Sequence, residues 1–122
     1  MAEKTGVSDT ADVLEHHLTA FGEQDMAELL ADYTDDSVLI TNSGTYRGLD
    51  EIEGMMSELF AEFGEPGTDF ALDEQVVEGE VAYLVWHAET PDNVYEFATD
   101  TFVVRDGVIE VQTFAATVEP KD

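Results

Sequence analysis

Residues 68–117 read TDFALDEQVVEGEVAYLVWHAETPDNVYEFATDTFVVRDGVIEVQTFAAT and alternate β-forming runs with turn residues. Glu78-Gly79-Glu80, Thr90-Pro91-Asp92-Asn93 and Asp106-Gly107 are hairpin signals. They divide the stretch into four strands near 68–78, 81–89, 94–104 and 108–117. Successive side chains on a strand point to opposite faces. Asp100, Phe102 and Val104 therefore share one face, against Thr101, Val103 and Arg105. Tyr83, Val85 and His87 oppose Leu84, Trp86 and Ala88, while Gln112, Phe114 and Ala116 oppose Val111 and Thr113. Both faces are fairly apolar. One face is expected to meet helices and the other a second subunit, because a monomer seldom exposes a large apolar patch.

The segment ahead of these strands changes period. Leu14, His17, Leu18 and Phe21 recur at helical spacing within a helix of about 9–23. A shorter helix follows Asp25, with Met26, Leu29, Leu30 and Tyr33 on its buried stripe. A third begins near Asp50 and carries Ile52, Met55, Met56, Leu59, Phe60 and Phe63, ended by Gly64 and Pro66-Gly67. Between the second and third, Ser37 to Thr41 forms a short strand closed by Asn42-Ser43-Gly44. Three helices followed by a meandering antiparallel sheet give an α+β domain, with the helices on one face of a curved sheet. The 122 residues suit one domain with a core of about 9–117, and residues 1–7 and 119–122 are expected to fray.

Charge bounds the environment and the partners. Asp and Glu number 29 against 4 Lys and Arg, a formal net charge of −25. Most carboxylates therefore lack a cation and repel one another, which opposes compaction at low ionic strength. At ~1 M salt the screening length is about 3 Å, and that repulsion largely disappears. A hydrophobic content of 43% argues against an acidic disordered segment. The composition thus points to a salt-adapted globular protein. Nucleic acid and anionic membranes are not expected partners, since binding them needs clustered Lys and Arg. Cysteine is absent, which removes disulfide and thiolate chemistry. No signal-like or membrane-length apolar run occurs, so the expected location is the cytoplasm. His16 and His17 are adjacent instead of spaced along a helix face, and no metal or cofactor is implied.

A few polar residues stand in register with apolar ones. Asp100 lies in line with Phe102, His87 with Tyr83 and Val85, Gln112 with Phe114, and His17 with Leu14, Leu18 and Phe21. If these faces converge, an apolar cavity holds two imidazoles, a carboxyl and an amide, the composition of a small-molecule pocket. Burial would raise the carboxyl pKa toward the range useful for acid–base chemistry. Each residue also fits a plainer role: a solvated strand-end Asp100, a hydrogen-bonded core His17, a rim His87, a satisfied buried Gln112. Tyr33 and Tyr46 suit core or rim positions, and Met55 and Met56 suit core or pocket lining.

Four stretches carry a family resemblance: FGEQDM at 21–26, LLADYTDDS at 29–37, GTYRGLDEI at 44–52 and TDTFVVRDGVI at 99–109. They resemble the nuclear-transport-factor-2-like superfamily, in its SnoaL-like and ketosteroid-isomerase-like branches, over about residues 9–117. The resemblance implies a cystatin-like α+β roll, in which a cone-shaped sheet wraps a deep pocket and often pairs two subunits. It places Asp100 where steroid isomerases hold a protonated carboxyl beside an oxyanion. The isomerase base would fall at Thr41 and the oxyanion tyrosine at His17, and neither residue type is retained. His87 and Asp100 instead match, in type and spacing, the histidine and aspartate of SnoaL-like cyclases.

The expected function is binding of a small, mostly apolar carbonyl ligand, with isomerase- or cyclase-type proton transfer in view. Asp100 and His87 are the candidate catalytic pair. His17, Tyr33, Thr41, Met56, Phe60, Phe102, Gln112 and Phe114 are the candidate ligand-binding residues. A non-catalytic binding module and a dimeric interaction domain are the alternatives. Trp86, opposite His87, is expected in the subunit interface.

Overall fold

The computed structural model describes residues 7–121. Helix α1 spans Val7–Glu23, α2 Met26–Leu30 and α3 Gly48–Phe63. Strands β1 to β6 span Val38–Thr41, Gly44–Arg47, Asp69–Glu78, Val81–Glu89, Asn93–Arg105 and Val108–Pro120. The six strands form one sheet in the order β2-β1-β6-β5-β4-β3. The expected α+β architecture is present, with one departure from a wholly antiparallel sheet: β1 runs parallel to β6. The short N-terminal strand comes from the helical half of the chain and enters the sheet beside its last strand.

Local chemistry sets the boundaries. The side chain of Asp25 caps α2 by accepting from the Glu28 amide at 3.2 Å. Asp106 and Gly107 both have positive φ, the geometry of the tight turn joining β5 to β6. Gly48, at φ +81°, opens α3 where an added Cβ would sit 3.2 Å from the Asp35 carbonyl oxygen. The turn into α3 therefore favours glycine.

Four register irregularities, at Leu72/Glu74, Trp86/Ala88, Tyr95/Phe97 and Val103/Val104, bend the sheet. Its concave face carries Ala82, Leu84, Trp86, Ala88, Ala98, Phe102 and Val104, all buried. Leu14 and Ala20 of α1 and Ile52 and Met56 of α3 close the other side of that core. On the convex face, Thr99, Thr101 and Val103 pair with Ala115, Thr113 and Val111. That patch is free of charge in a chain so rich in carboxylates.

The C-terminal end differs from expectation. Glu119 and Pro120 pair with Val94 and Asn93, and the Lys121 amide donates to the Asp92 carbonyl at 2.8 Å. Lys121 Nζ also meets Glu89 at 2.6 Å. Backbone pairing outweighs the polar composition of this segment. At the other end Val7 lies in α1, and residues 1–6 of the expected frayed tail lie outside the described residues, as does Asp122. No helix among the described residues is long and apolar enough to cross a membrane.

Candidate functional site

Pairing of β4 with β5 sets the site. Leu84 stands opposite Asp100, so the Asp100 carboxyl shares the concave face with Leu84 and Trp86. His87 points the other way. It sits at the Trp86/Ala88 irregularity on the convex face, exposed, with Nδ1 2.7 Å from an oxygen of Asp73. The expected pair of Asp100 and His87 is therefore not assembled. Trp86, expected in a subunit interface, instead lies inside. Alternation alone could not say which face of β4 joins that of Asp100; the cross-strand register does.

Asp100 is only 8% exposed, and both of its oxygens are held. Trp86 Nε1–H donates to Oδ1 at 2.8 Å and Gln112 Nε2–H to Oδ2 at 2.8 Å. The Tyr33 hydroxyl in turn donates to Gln112 Oε1. The chain from Tyr33 through Gln112 to Asp100 has one polarity, every donor aimed toward the carboxyl. Burial raises the Asp100 pKa from 3.8 to about 6, with the Trp86 and Gln112 donors pulling the other way. The Tyr33 hydroxyl is pushed further up by burial and by Asp100, which keeps it a donor.

His17 lies nearby on α1, 4% exposed, its ring edge-on to Phe102 at 5.1 Å and to Tyr33 at 5.9 Å. Burial, aided by neighbouring His16, lowers its pKa from 6.5 to about 4, so the ring is neutral at pH 7. Its Nδ1 is buried without a hydrogen-bond partner.

Asp100, His17 and Gln112 are the polar members of an otherwise apolar cavity of about 80 Å³. Leu18 and Phe21 of α1, Leu39 of β1, and Met56, Leu59 and Phe63 of α3 form one side. Phe70, Leu84, Trp86, Phe102 and Phe114 of the sheet form the other. Phe114 stacks on Trp86 with rings 5.9 Å apart and 6° from parallel. Of the residues expected to bind ligand, His17, Met56, Phe102, Gln112 and Phe114 converge here with Asp100. Tyr33 stands behind Gln112, one hydrogen bond from the carboxyl. Phe60 packs edge-on against Phe21 and does not line the cavity. Thr41 closes the β1–β2 turn, bonding Ser43 Oγ at 3.1 Å and donating to the Gly44 carbonyl at 3.0 Å, away from the cavity. Trp86 is the functional candidate missed in the sequence, since both faces of β4 are equally apolar there. No group of three His, Cys, Asp or Glu side chains placed to hold a metal occurs among the described residues.

Comparison with known proteins agrees with the fold. A Kribbella flavida protein provisionally named a ketosteroid isomerase superposes with TM-score 0.77 at 15% identity, covering 98% of this chain and 85% of its own. A Sinorhizobium meliloti protein provisionally named a polyketide cyclase gives TM-score 0.69 at 16% identity, covering 84% and 93%. TerC, co-crystallised with polyporic acid, gives 0.71 at 14%, covering 90% and 92%. At these identities the likeness is one of fold. No curated protein matches the chain in sequence. The model of the SnoaL-like domain matches residues 14–112, most of the chain and every residue lining the cavity except Phe114. The chain belongs to the SnoaL-like domain family.

Proposed function

We propose that this domain binds a small, mostly apolar carbonyl compound in the cavity beside Asp100, and that Asp100 exchanges a proton with it. The observation that carries the reading is a buried carboxyl, held by Trp86 and Gln112, facing an otherwise apolar cavity. A pKa of about 6 leaves Asp100 mostly ionised at pH 7 and easily reprotonated. The Asp100 carboxylate takes a proton from the carbon next to the carbonyl. The C–H electron pair becomes the enolate double bond, with its charge on oxygen, and return of the proton to carbon restores both partners. Neutral His17 and Gln112 orient the ligand. The structural neighbours provisionally named isomerase and cyclase lend the reading support, as does the polyporic acid co-crystallised with TerC.

The test is deuterium exchange into butanone in heavy water, followed by NMR. The wild-type chain is expected to accelerate exchange at the carbons flanking the carbonyl, and Asp100→Asn to abolish the acceleration. Butanone that perturbs Trp86 emission without faster exchange would leave a binding module and remove the proton-transfer step.

Two further expectations belong to the same reading. The uncharged convex face of β5 and β6 is the seat of a second copy, because it brings no carboxylates into contact across the interface. Light scattering in molar salt should give twice the chain mass, and Thr101→Glu, at the centre of that face, should halve it. A wild-type monomer under those conditions would contradict this. The protein also works in concentrated salt. Raising salt from ~0.1 to ~1 M should raise the melting temperature by roughly 10 °C or more as screening tightens. A melting temperature independent of salt would remove salt adaptation from the account.

A further inference from the structure

A second cavity, of about 340 Å³, lies beside the first, and Leu59 and Phe114 line both. Its character differs. Asn42, Ser43, Glu58 and Glu62 bring polar groups to it, and every ionisable group of its lining except the Tyr95 phenol is a carboxyl. Glu62 is fixed there by three donors: the Thr90 hydroxyl and Asn93 Nδ2 to Oε2, each at 2.7 Å, and the Tyr95 hydroxyl to Oε1 at 2.8 Å. Burial would raise its pKa, but these three donors outweigh burial and keep it an anion at neutral pH.

The inner cavity is too small to be a whole site. At about 80 Å³ it has roughly half the volume of an engineered cavity of about 150 Å³ that holds benzene. It seats a group of a few heavy atoms, and the rest of any larger ligand must pass Leu59 and Phe114. We infer that the outer cavity is a second subsite, and that the ligand is an elongated, non-anionic carbonyl compound with its small carbonyl end beside Asp100 and a cationic or hydroxylated end between Glu58 and Glu62. This rests on the reading above that the inner cavity receives a carbonyl group. The carboxyls of the outer cavity reject an anionic tail and favour an ammonium, and its apolar wall accepts the connecting chain.

The probes are butanone, methyl heptyl ketone, and that longer ketone carrying a terminal ammonium or a terminal carboxylate. Binding is read at one ionic strength from the emission of Trp86, the single tryptophan of the chain, which lines the inner cavity. Lengthening butanone to methyl heptyl ketone should tighten binding by about tenfold or more, since two newly buried methylenes suffice for that. The ammonium form should bind about tenfold more tightly than the carboxylate form. Glu62→Gln should shrink that ratio several-fold. Because Gln at 62 disturbs three hydrogen bonds, Glu58→Gln, at an exposed and unbonded carboxyl, provides the same test without that cost. Glu74→Gln on the opposite face makes the same change in net charge and should leave the ratio unaltered. Ala116→Phe, which places a ring in the outer cavity, should reduce the gain from chain length and spare butanone.

If butanone binds while chain length and end charge make no difference, the outer subsite is refuted and the inner one stands. A charge ratio equally sensitive to Glu74 and Glu58 would reduce the preference to the field of the whole protein and also refute it. If no ketone, butanone included, perturbs Trp86, the inner reading fails and this inference falls with it.

Discussion

Asp100→Asn is expected to gain stability relative to wild type as the pH rises from about 4 to about 6, and His17→Phe to lose it over the same window. Folding raises the Asp100 pKa from 3.8 to about 6. Native Asp100 therefore holds its proton where the unfolded chain has released it. The stability this supplies is fully present below pH 3.8 and is lost as the pH rises through about 6. A rise from 3.8 to about 6 corresponds to about 3 kcal/mol. His17 runs the opposite way. Burial lowers its pKa from 6.5 to about 4, so its contribution is present above 6.5 and lost as the pH falls through about 4. The two linkages oppose each other in the wild-type chain, and each variant unmasks the other. Asn at 100 keeps the shape of the site, and a flipped Gln112 restores its hydrogen bond while leaving the Tyr33 proton without an acceptor, at a cost of about 1–3 kcal/mol at acid pH. Denaturant unfolding of the three proteins across pH 3.5 to 7 checks this. Parallel curves would show that neither group changes protonation on folding.

Trp86→Ala should cost about 3–5 kcal/mol, the range for removing a large buried aromatic. Its indole lies against Phe63, Phe70, Tyr95 and Phe114, with ring centroids between 5.3 and 5.9 Å apart. Trp86→Phe separates packing from polarity. It keeps most of the aromatic wall but removes the Nε1–H that donates to Asp100 at 2.8 Å, a bond to a charged group worth about 1.5–3 kcal/mol. It should also raise the Asp100 pKa further, because that donor favours the ionised carboxyl. Phe63→Leu, which disturbs the same cluster without touching a hydrogen bond, should destabilise the fold and leave the Asp100 titration in place. Equal titration in Trp86→Phe and Phe63→Leu would mean that the indole acts on Asp100 only by filling space.

Most of the architecture was legible because hydrophobic period and turn chemistry are local. The stripe through Leu14, Leu18 and Phe21, the stripe from Ile52 to Phe63 and the hairpin at Asp106-Gly107 each announce their element within a few residues. The site depends on register, which is not local. Strand alternation puts Asp100 with Phe102 and Gln112 with Phe114, but the irregularity at Val103/Val104 lies between the two-residue turn and Asp100, so only the observed pairing of Asp100 with Phe114 brings the two sets to one face. β4 and β5 meet across a longer loop and an irregularity at Trp86/Ala88. Both faces of β4 are apolar, so the sequence offered His87 and Trp86 as equals. Chemistry favoured the histidine and geometry took the indole. The position of β1 beside β6 was equally hidden, since that contact joins residues some seventy apart in the chain, as Leu39 and Gln112 are.

A carboxyl-carbon NMR titration of Asp100, with and without saturating butanone, tests the central claim most directly. The free protein should show Asp100 titrating near pH 6, and butanone should move that value upward, because the protonated acid donates a hydrogen bond that the carboxylate cannot. An Asp100 that titrates near 3.8, or one whose titration butanone leaves unchanged at saturation, would contradict a buried acid facing a carbonyl ligand.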